Sequence, residues 1–196
     1  LILNTMETIS IHKPKVVVIG SCNTDMVVKA NRLPVPGETI LGGTFYMNPG
    51  GKGANQAIAA SRLGAEVTFI SKIGYDLFGL QALEIYKSEK INTDFIFTDQ
   101  KSPSGVALIS VDSFGENSII VAPGASRSLS IEDINKAEEK IKEADIILMQ
   151  LEIPIETVEY AATIAKKYNK KVILNPAPAS TCLLYTSPSP RDRQKS

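Results

Sequence analysis

The feature that most restricts the fold is a regular alternation of short apolar runs with helix-forming segments. β-branched runs predict buried strands at residues 15–20, 66–71, 145–150 and 171–174. Apolar residues at helical spacing predict helices between them, at residues 53–63, 77–90, 130–143 and 155–168. Alternating units of this length predict an α/β fold with an open, mostly parallel sheet and helices on both faces.

Two β-rich segments, residues 26–47 and 104–121, do not follow that alternation. In the second segment, strands are predicted at residues 104–111 and 117–121, on either side of a turn at residues 112–115. We therefore expect a small separate β-sheet that folds as a lid over the main sheet.

Two polar side chains are predicted to cap helices. Asp76 precedes the helix at residues 77–90, where its carboxylate can accept from free backbone N–H groups. Ser130-Ile-Glu-Asp133 has the spacing of a capping box, with Ser130 as the N-cap. Both caps support the predicted helix starts.

Charge and cysteine content exclude several classes of protein. The 21 basic and 21 acidic residues give a formal net charge of +0, so no nucleic-acid or anionic-membrane partner is expected. No apolar run approaches the roughly 20 residues of a membrane helix. Residues 1–15 have no apolar signal-peptide core. Two cysteines make no disulfide framework, which predicts a cytoplasmic location.

A glycine-rich segment, Asn48-Pro-Gly-Gly-Lys-Gly-Ala-Asn-Gln56, opens the first predicted helix. Such a segment lets a ligand approach the backbone closely, and a helix start offers unpaired N–H groups. A flexible loop before an ordinary helix is the alternative, but Lys52 and Asn55 add polar groups at the same place. The segment lacks the P-loop spacing, and Gly20-Ser-Cys lacks the dinucleotide-binding pattern.

Three further polar residues follow predicted strands at the edge where α/β sheets bind ligands. Asn23 and Asp25 lie in a polar turn after the first strand, and their oxygens can bind sugar hydroxyls. A solvated Asx-turn is the alternative. Glu152 follows the strand at residues 145–150. It either faces the same ligand crevice as Asn23 and Asp25, or it is a solvent-exposed acid that the helix dipole favours at the start of the next helix. No cluster has metal-ligand spacing, and the one histidine supports no catalytic triad.

Together these motifs resemble the amino-terminal part of the ribokinase-like carbohydrate kinases. The matching segments cover about residues 14–180, and they are Gly20-Ser-Cys-Asn-Thr-Asp25, Pro36-Gly-Glu-Thr39, Gly50-Gly-Lys-Gly-Ala-Asn-Gln56, Ile73-Gly-Tyr-Asp-Leu-Phe-Gly79, Ser104-Gly-Val-Ala-Leu-Ile109, Gly115-Glu-Asn117, Met149-Gln-Leu-Glu152 and Leu174-Asn-Pro-Ala-Pro-Ala179. The resemblance implies phosphoryl transfer from ATP to the 5-hydroxyl of D-ribose, with Mg²⁺ and a monovalent cation such as K⁺. It also implies a partial kinase domain at residues 14–180 with its lid strands at about residues 26–47 and 104–121.

The resemblance implies a set of sugar-binding residues. Asn23, Asp25 and Glu152 match groups that bind sugar hydroxyls. The glycine loop is matched by Gly51, Lys52, Gly53 and Asn55, and apolar lid positions are matched by Ala107, Ile119 and Val121. The spacing of Ile119 and Val121 puts both on one face of a strand. Apolar residues on both lid faces, such as Phe45, Leu108 and Ile120, predict a homodimer formed through the lid.

The sequence departs from the family at two places. Ser126 stands where these kinases often have Asn. The Gly-Ala-Gly-Asp stretch that carries the family's catalytic aspartate is absent, so we expect no catalytic residue in this chain and no kinase activity from it alone. Residues 181–196 contain Ser-Pro-Ser-Pro and are predicted to be an unstructured or foreign tail. The alternatives are another small-sugar or nucleoside kinase of the family, or a non-catalytic sugar-binding module.

Overall fold

The computed structural model describes residues 13–179, which form two β-sheets with helices around the larger one. The main sheet contains β1 (Lys15–Ile19), β4 (Glu66–Gly74), β5 (Ile96–Asp99), β8 (Ile146–Met149) and β9 (Lys171–Leu174). The lid sheet contains β2 (Asn23–Lys29), β3 (Thr44–Gly50), β6 (Gly105–Val111) and β7 (Asn117–Ala122). The helices are α1 (Lys52–Arg62), α2 (Leu77–Ser88), α3 (Ile131–Lys136), α4 (Glu138–Glu143), α5 (Ile155–Lys167) and a 3-10 helix (Gly124–Ser128).

The main sheet has the strand order β5-β4-β1-β8-β9, and every neighbouring pair is parallel. This arrangement confirms the α/β architecture that the alternating pattern predicts. Strand β1 lies at the centre, with β4 on one side and β8 on the other. The carboxyl ends of β1 and β8 therefore lie side by side, and the segments that follow these two strands meet at one edge of the sheet.

Both faces of the main sheet are covered, because the side chains of each strand alternate between the two faces. On one face, Val17 and Ile19 pack in the core formed with α3, α4 and α5. On the other face, Val16 and Val18 pack in the core formed with α1 and α2. Phe69 meets the ring of Tyr86 edge-on in this second core, with ring centroids 5.5 Å apart. Helices on both faces explain why these strands consist of nearly continuous apolar runs.

The lid sheet has the strand order β3-β2-β6-β7, with β2 and β6 parallel and the other two pairs antiparallel. The predicted lid is confirmed, but the prediction of a polar turn through Asn23 and Asp25 is wrong. Strand β2 begins at Asn23, which pairs with Gly50 on one side and Gly105 on the other. Backbone pairing on both sides holds this polar segment extended, in spite of its turn-like composition. Asn23 and Asp25 thus belong to the lid.

The single helix predicted at residues 130–143 is two helices, α3 and α4. The backbone at Ala137 leaves helical geometry, with φ −101° and ψ 5°. Its N–H donates to the carbonyl of Ile134, three residues earlier, where an α-helix would use the residue four earlier. The capping box is confirmed: the Ser130 N–H donates to the Asp133 carboxylate at 2.9 Å, and the Asp133 N–H donates to Ser130 Oγ at 3.3 Å. Asp76 also caps α2 as predicted, accepting from the Gly79 N–H at 2.9 Å.

Two elements lie where no helix or strand was predicted, the edge strand β5 and the 3-10 helix. Strand β5 has only four residues and pairs with the extension of β4 beyond the predicted end at Ser71. At the opposite edge, β9 is exposed, with Val172 and Ile173 accessible to solvent. The tail predicted at residues 181–196 lies outside the described residues.

Candidate functional site

A cavity of about 470 Å³ lies between the lid and the carboxyl edge of the main sheet. Its size is within the range of small-molecule sites. The cavity is lined by residues of the lid, the start of α1, the 3-10 helix and the loops that follow strands of the main sheet, namely Ser21, Asn23, Lys52, Val121, Pro123, Ser126, Arg127, Leu151, Glu152 and Pro178. The structure thus brings Asn23, Lys52, Val121 and Glu152, four of the candidates from the sequence, to one cavity.

Glu152 is held by groups of the protein itself. One carboxylate oxygen accepts from the Ser21 hydroxyl at 2.5 Å and from the Lys52 backbone N–H at 2.9 Å, and the other accepts from the Lys52 ammonium at 2.7 Å. Burial alone would raise the pKa of Glu152, but these hydrogen bonds outweigh it and lower the pKa below its ordinary value. Glu152 is therefore an ionised anchor for Lys52.

The start of α1 does not offer the unpaired N–H groups that the sequence led us to expect. The Lys52 N–H donates to Glu152, and the Ala54 N–H donates to the Ser21 carbonyl at 2.9 Å. The Gly53 N–H donates to Ser21 Oγ at 3.5 Å, and the Asn55 N–H donates to the Gly51 carbonyl. The prediction fails because Ser21 and Glu152, which follow β1 and β8, act together as the cap that Gly51 lacks.

Asp25 differs from Glu152, since its carboxylate has no hydrogen-bond or ion-pair partner among residues 13–179. The side chain is half-buried and lies against the backbone of Gly50. Burial and then the nearby Glu152 charge raise the pKa of Asp25 above its ordinary value, although the Lys52 charge opposes the shift. Half-buried and unpaired, this carboxylate is a ready acceptor for hydroxyl groups of a ligand.

Asn23 carries a second unpaired acceptor. Asn23 as a whole is 8% exposed, and its side-chain oxygen is buried and has no partner within the described part of the chain. A buried polar atom without a partner is costly unless a ligand or water satisfies it. Asn23 and Asp25 lie two residues apart on β2 and so share a face of the lid. The Asp25 carboxylate lies against Gly50 on β3 and the Asn23 oxygen against Gly105 on β6, and of the two residues only Asn23 lines the cavity.

The apolar candidates lie on the same face of the lid as Asp25. Asp25 pairs with Ala107 on β6, which in turn pairs with Val121 on β7, and residues directly opposite in a sheet share a face. Ile119 lies two residues before Val121 and is half-exposed, farther along β7. Ala107 is buried between its neighbours. Asp25, Ala107 and Val121 therefore form one row across the lid.

The glycine-loop candidates divide into packing positions and one exposed side chain. Gly51 has φ 89°, and a Cβ there would lie 2.9 Å from the Asn23 backbone nitrogen, so only glycine fits easily. At Gly53, a Cβ would lie 2.6 Å from the Ser21 carbonyl oxygen. Both glycines let α1 approach the end of β1 closely. Asn55 is exposed on α1 and does not line the cavity.

Three polar residues of the cavity, Ser21, Ser126 and Arg127, were not predicted as site residues. Ser21 caps α1 as described above. Ser126 Oγ accepts from the Cys22 N–H and donates to the Cys22 carbonyl, both at 3.2 Å, and so holds the backbone next to Asn23. Arg127 is exposed and has no ion-pair partner within residues 13–179. Only Ser21 gave a signal, because it directly follows a predicted strand at the ligand-binding edge of the sheet.

The described residues contain no preformed side-chain cluster for the metal ions that the resemblance implies. Within residues 13–179, no group of three or more His, Cys, Asp or Glu side chains could hold a metal ion. The α1 start is occupied by Ser21 and Glu152, so it offers no free N–H cradle for phosphate either. No step involving Mg²⁺ or K⁺ is therefore assigned to these residues.

Comparison with known proteins fits this geometry. The sequence profile described as "pfkB family carbohydrate kinase" matches residues 13–190. The chain belongs to the pfkB family of carbohydrate kinases. It is 47% identical over 162 residues to the ribokinase of Haemophilus influenzae, covering 83% of this chain and 53% of the relative. It is 41% identical to the deoxyribokinase of Salmonella typhi, covering 84% of this chain and 54% of the relative.

A solved pfkB-type kinase structure shares the fold. The structure of Arabidopsis thaliana ribokinase complexed with ribose and ATP superposes with a TM-score of 0.72 at 34% identity, covering 83% of this chain and 53% of that one. The chain spans about half the length of the curated relatives it matches. Within the described residues, no helix is long and apolar enough to cross a membrane.

Proposed function

We propose that the full-length protein, meaning one that carries this chain and reaches the length of its relatives, phosphorylates D-ribose at the 5-hydroxyl with ATP. The single observation that carries the proposal is a cavity lined by Asn23, whose buried side-chain oxygen has no partner among residues 13–179, and by Lys52, which Glu152 anchors. The similarity to proteins named ribokinase and the ribose and ATP in the Arabidopsis complex support the choice of both substrates.

The residues of this chain would bind and orient the sugar. Asp25 and Asn23 accept hydrogen bonds from sugar hydroxyls, while the Lys52 ammonium donates to a sugar oxygen from a position that Glu152 fixes. Val121 and Ala107 supply an apolar surface over the sugar ring. Such positioning lowers the entropic cost of bringing two substrates together. The base for the hydroxyl proton, the donor site and the cations would come from outside the described residues.

A sugar panel tests the substrate assignment. Purified full-length protein is assayed for sugar-dependent ADP formation with ribose, 2-deoxyribose, fructose and adenosine, and the product is identified by ³¹P NMR. We expect ribose to give the highest kcat/KM and the product to be the 5-phosphate. A higher kcat/KM with any other substrate contradicts the ribose assignment, and ADP formation with none of them contradicts the kinase assignment.

Phosphorylation of 2-deoxyribose is the second candidate, because the chain is 41% identical to a deoxyribokinase. The two sugars differ by one hydroxyl group. A site that offers two unpaired buried or half-buried acceptors favours the sugar with more hydroxyl donors, since the poorer donor leaves an acceptor unsatisfied. This argument places ribose first and deoxyribose second.

We also propose that two copies of the full-length protein associate through their lids. The face of the lid away from the cavity exposes large apolar side chains, with Phe45 58%, Leu108 53% and Ile120 70% exposed. A face of this kind needs a covering partner, and a second copy offers the same face in return. Light scattering at micromolar concentration should give twice the chain mass, and Leu108→Lys should give the monomer mass. A monomer without the substitution contradicts the proposal.

A further inference from the structure

Ser21 joins three elements at the cavity. Its hydroxyl donates to Glu152 at 2.5 Å, beyond the end of β8, and its carbonyl accepts from the Ala54 N–H at the start of α1. Ser21 itself follows β1 and is 1% exposed. The hydroxyl proton is therefore committed to one carboxylate oxygen. This geometry fixes where that oxygen lies.

The fixed oxygen controls the position of Lys52. The same Glu152 oxygen that accepts from Ser21 also accepts from the Lys52 backbone N–H at 2.9 Å. The second oxygen of Glu152 holds the Lys52 ammonium at 2.7 Å. Rotation of the carboxylate would therefore move both the ammonium and the first turn of α1. Ser21 opposes that rotation without having a charge of its own.

We propose that Ser21 is a positioning residue of the sugar site, which orients the Glu152 carboxylate and through it the Lys52 ammonium. The inference rests on the proposed function for the identity of the ligand. Glu152 then anchors Lys52, and with three hydrogen bonds from the protein it can still accept one from a ligand, since a carboxylate accepts about four. Asp25 and Asn23 remain the acceptors for sugar hydroxyls.

The test compares Ser21→Ala with Thr157→Val in the full-length protein. Thr157 is as buried as Ser21, and its hydroxyl donates to the Leu129 carbonyl at 2.8 Å, away from the cavity. Both substitutions remove one buried hydroxyl that makes a hydrogen bond. For Ser21→Ala we expect ribose KM to rise about tenfold with kcat changed less than about twofold, since the lost bond orients a binding group. For Thr157→Val, we expect unchanged kinetics.

A second readout does not depend on catalysis. The side-chain carboxyl of Glu152 is titrated by ¹³C NMR in both variants and in the unsubstituted protein. Ser21→Ala should raise the pKa of Glu152, since one hydrogen bond to its ionised form is lost. The groups facing Glu152 are Lys52, Asp25 and, across the cavity, Arg127, and none of them is altered by the substitution. Thr157→Val should leave this titration unchanged.

Failure of this inference can be told apart from failure of the proposed function. If the unsubstituted protein does not phosphorylate ribose, the proposed function fails, and the KM comparison is made with whichever panel sugar it does accept. An unchanged KM or an unchanged Glu152 titration in Ser21→Ala overturns the role of Ser21. If Ser21→Ala does not fold, Ser21→Cys replaces it, because a thiol of similar volume is a much weaker donor.

Discussion

The two sheets of this protein differ in how far their side chains are buried. In the main sheet, the central strand β1 lies between two helical layers, and Val18 and Ile19 are both fully buried. In the lid, every residue of β7 is exposed, and Ile120 is 70% exposed. The centre of the main sheet buries its apolar side chains within the chain. The lid exposes apolar side chains on both faces, and Asn23 and Asp25 on one of them have no side-chain partner in the described structure.

This difference implies that the main sheet chiefly determines stability and the lid chiefly determines binding. Burial of apolar side chains in the main sheet supplies the driving force for folding. The lid, by contrast, is held mainly by backbone pairing and by bonds at its junctions with the main sheet. One such junction is at Ser104, whose N–H and hydroxyl both donate to Asp76 at 2.7 Å. We therefore expect substitutions in the main sheet to change stability first and substitutions in the lid to change binding or assembly first.

The largest expected effect is complete loss of kinase activity in the 196-residue chain on its own. Under the proposed function its cavity and lid would position a sugar, but the Gly-Ala-Gly-Asp stretch of the family is not in the sequence, and positioning alone supplies neither a base nor a donor site. A coupled assay with ribose and ATP should show no sugar-dependent ADP formation. The exposed edge strand β9 should also make this preparation poorly soluble.

The full-length protein serves as the positive control for that assay. Ribose-dependent ADP formation by the 196-residue chain that disappears in its Asp25→Ala variant would show that the catalytic groups lie within these residues. The contrast between a stabilising main sheet and a binding lid would then have to include catalysis.

A pair of core and lid substitutions tests the contrast directly. Phe69 is fully buried in the main sheet, so Phe69→Ala should lower the free energy of unfolding by about 3–5 kcal/mol. Ile120 is exposed on the lid, so Ile120→Ala should change the unfolding free energy of the monomer by less than about 0.5 kcal/mol. Urea unfolding at submicromolar concentration measures both. Comparable losses in the two variants would mean that the lid contributes to the same cooperative core.

Local sequence pattern predicted most of the main sheet and less of the lid. Continuous β-branched runs mark buried parallel strands, and Asp76 and Ser130 cap helices through contacts only three residues away. Strand β5 has four residues and forms only because β4 extends beside it. The extended conformation of Asn23 and Asp25 depends on pairing with strands far along the chain. Long-range pairing therefore overrides local turn preference there.

The same distinction applies to the site. Glycine spacing and polar residues after strands identified Asn23, Lys52 and Glu152, which do line one cavity. Sequence could not show that Ser21 and Lys52 already occupy the Glu152 oxygens, because those bonds join residues 100 and more positions apart. It also could not show that Asp25 has no partner in the described structure. Which candidates are free to bind a ligand is decided by tertiary contacts.

Asp25→Ala in the full-length protein tests whether the lid determines sugar binding. Loss of an unpaired carboxylate acceptor should raise ribose KM and lower kcat/KM about tenfold or more, the cost expected for a hydrogen bond to a charged group. The unfolding free energy should change little, because no residue of the described structure bonds to this carboxylate. Steady-state kinetics and urea unfolding check both parts, and unchanged ribose kinetics would contradict the role of Asp25.

The pH dependence of ribose binding sharpens the same prediction. Burial and the Glu152 charge raise the pKa of Asp25, and the ionised form is the better acceptor. Binding should therefore be strong above this raised pKa and weaken as the pH falls through it, at higher pH than for an ordinary aspartate. Calorimetric titration of ribose between pH 7 and pH 4 measures this. Asp25→Asn, which keeps an acceptor but does not titrate, should remove that part of the pH dependence.

The smallest effect is expected at the capping box, in the stabilising region of the molecule. Ser130→Ala removes the N-cap of α3 and should cost about 1 kcal/mol of unfolding free energy, with no change in ribose KM. Burial alone would raise the pKa of Asp133, but hydrogen bonds from Lys72 and Ser130 outweigh it and lower the pKa. Because this folded-state pKa is lowered, Asp133 adds stability above the unfolded pKa of about 3.9, and the contribution is lost as the pH falls through the lowered value.

The substitution should make that acid-dependent loss smaller, because without the Ser130 hydroxyl the pKa of Asp133 moves part of the way back towards its ordinary value. The bond from the backbone N–H of residue 130 and the Lys72 contact at 2.8 Å both remain. Urea unfolding at pH 7 and pH 3 should therefore show a smaller difference between the two pH values in Ser130→Ala than in the unsubstituted protein. Glu132→Ala, on the same helix turn but exposed, is the matched control and should alter neither quantity appreciably. A change in ribose KM in Ser130→Ala would mean that the capping box, through the 3-10 helix that carries Ser126 and Arg127, takes part in binding as well as in stability.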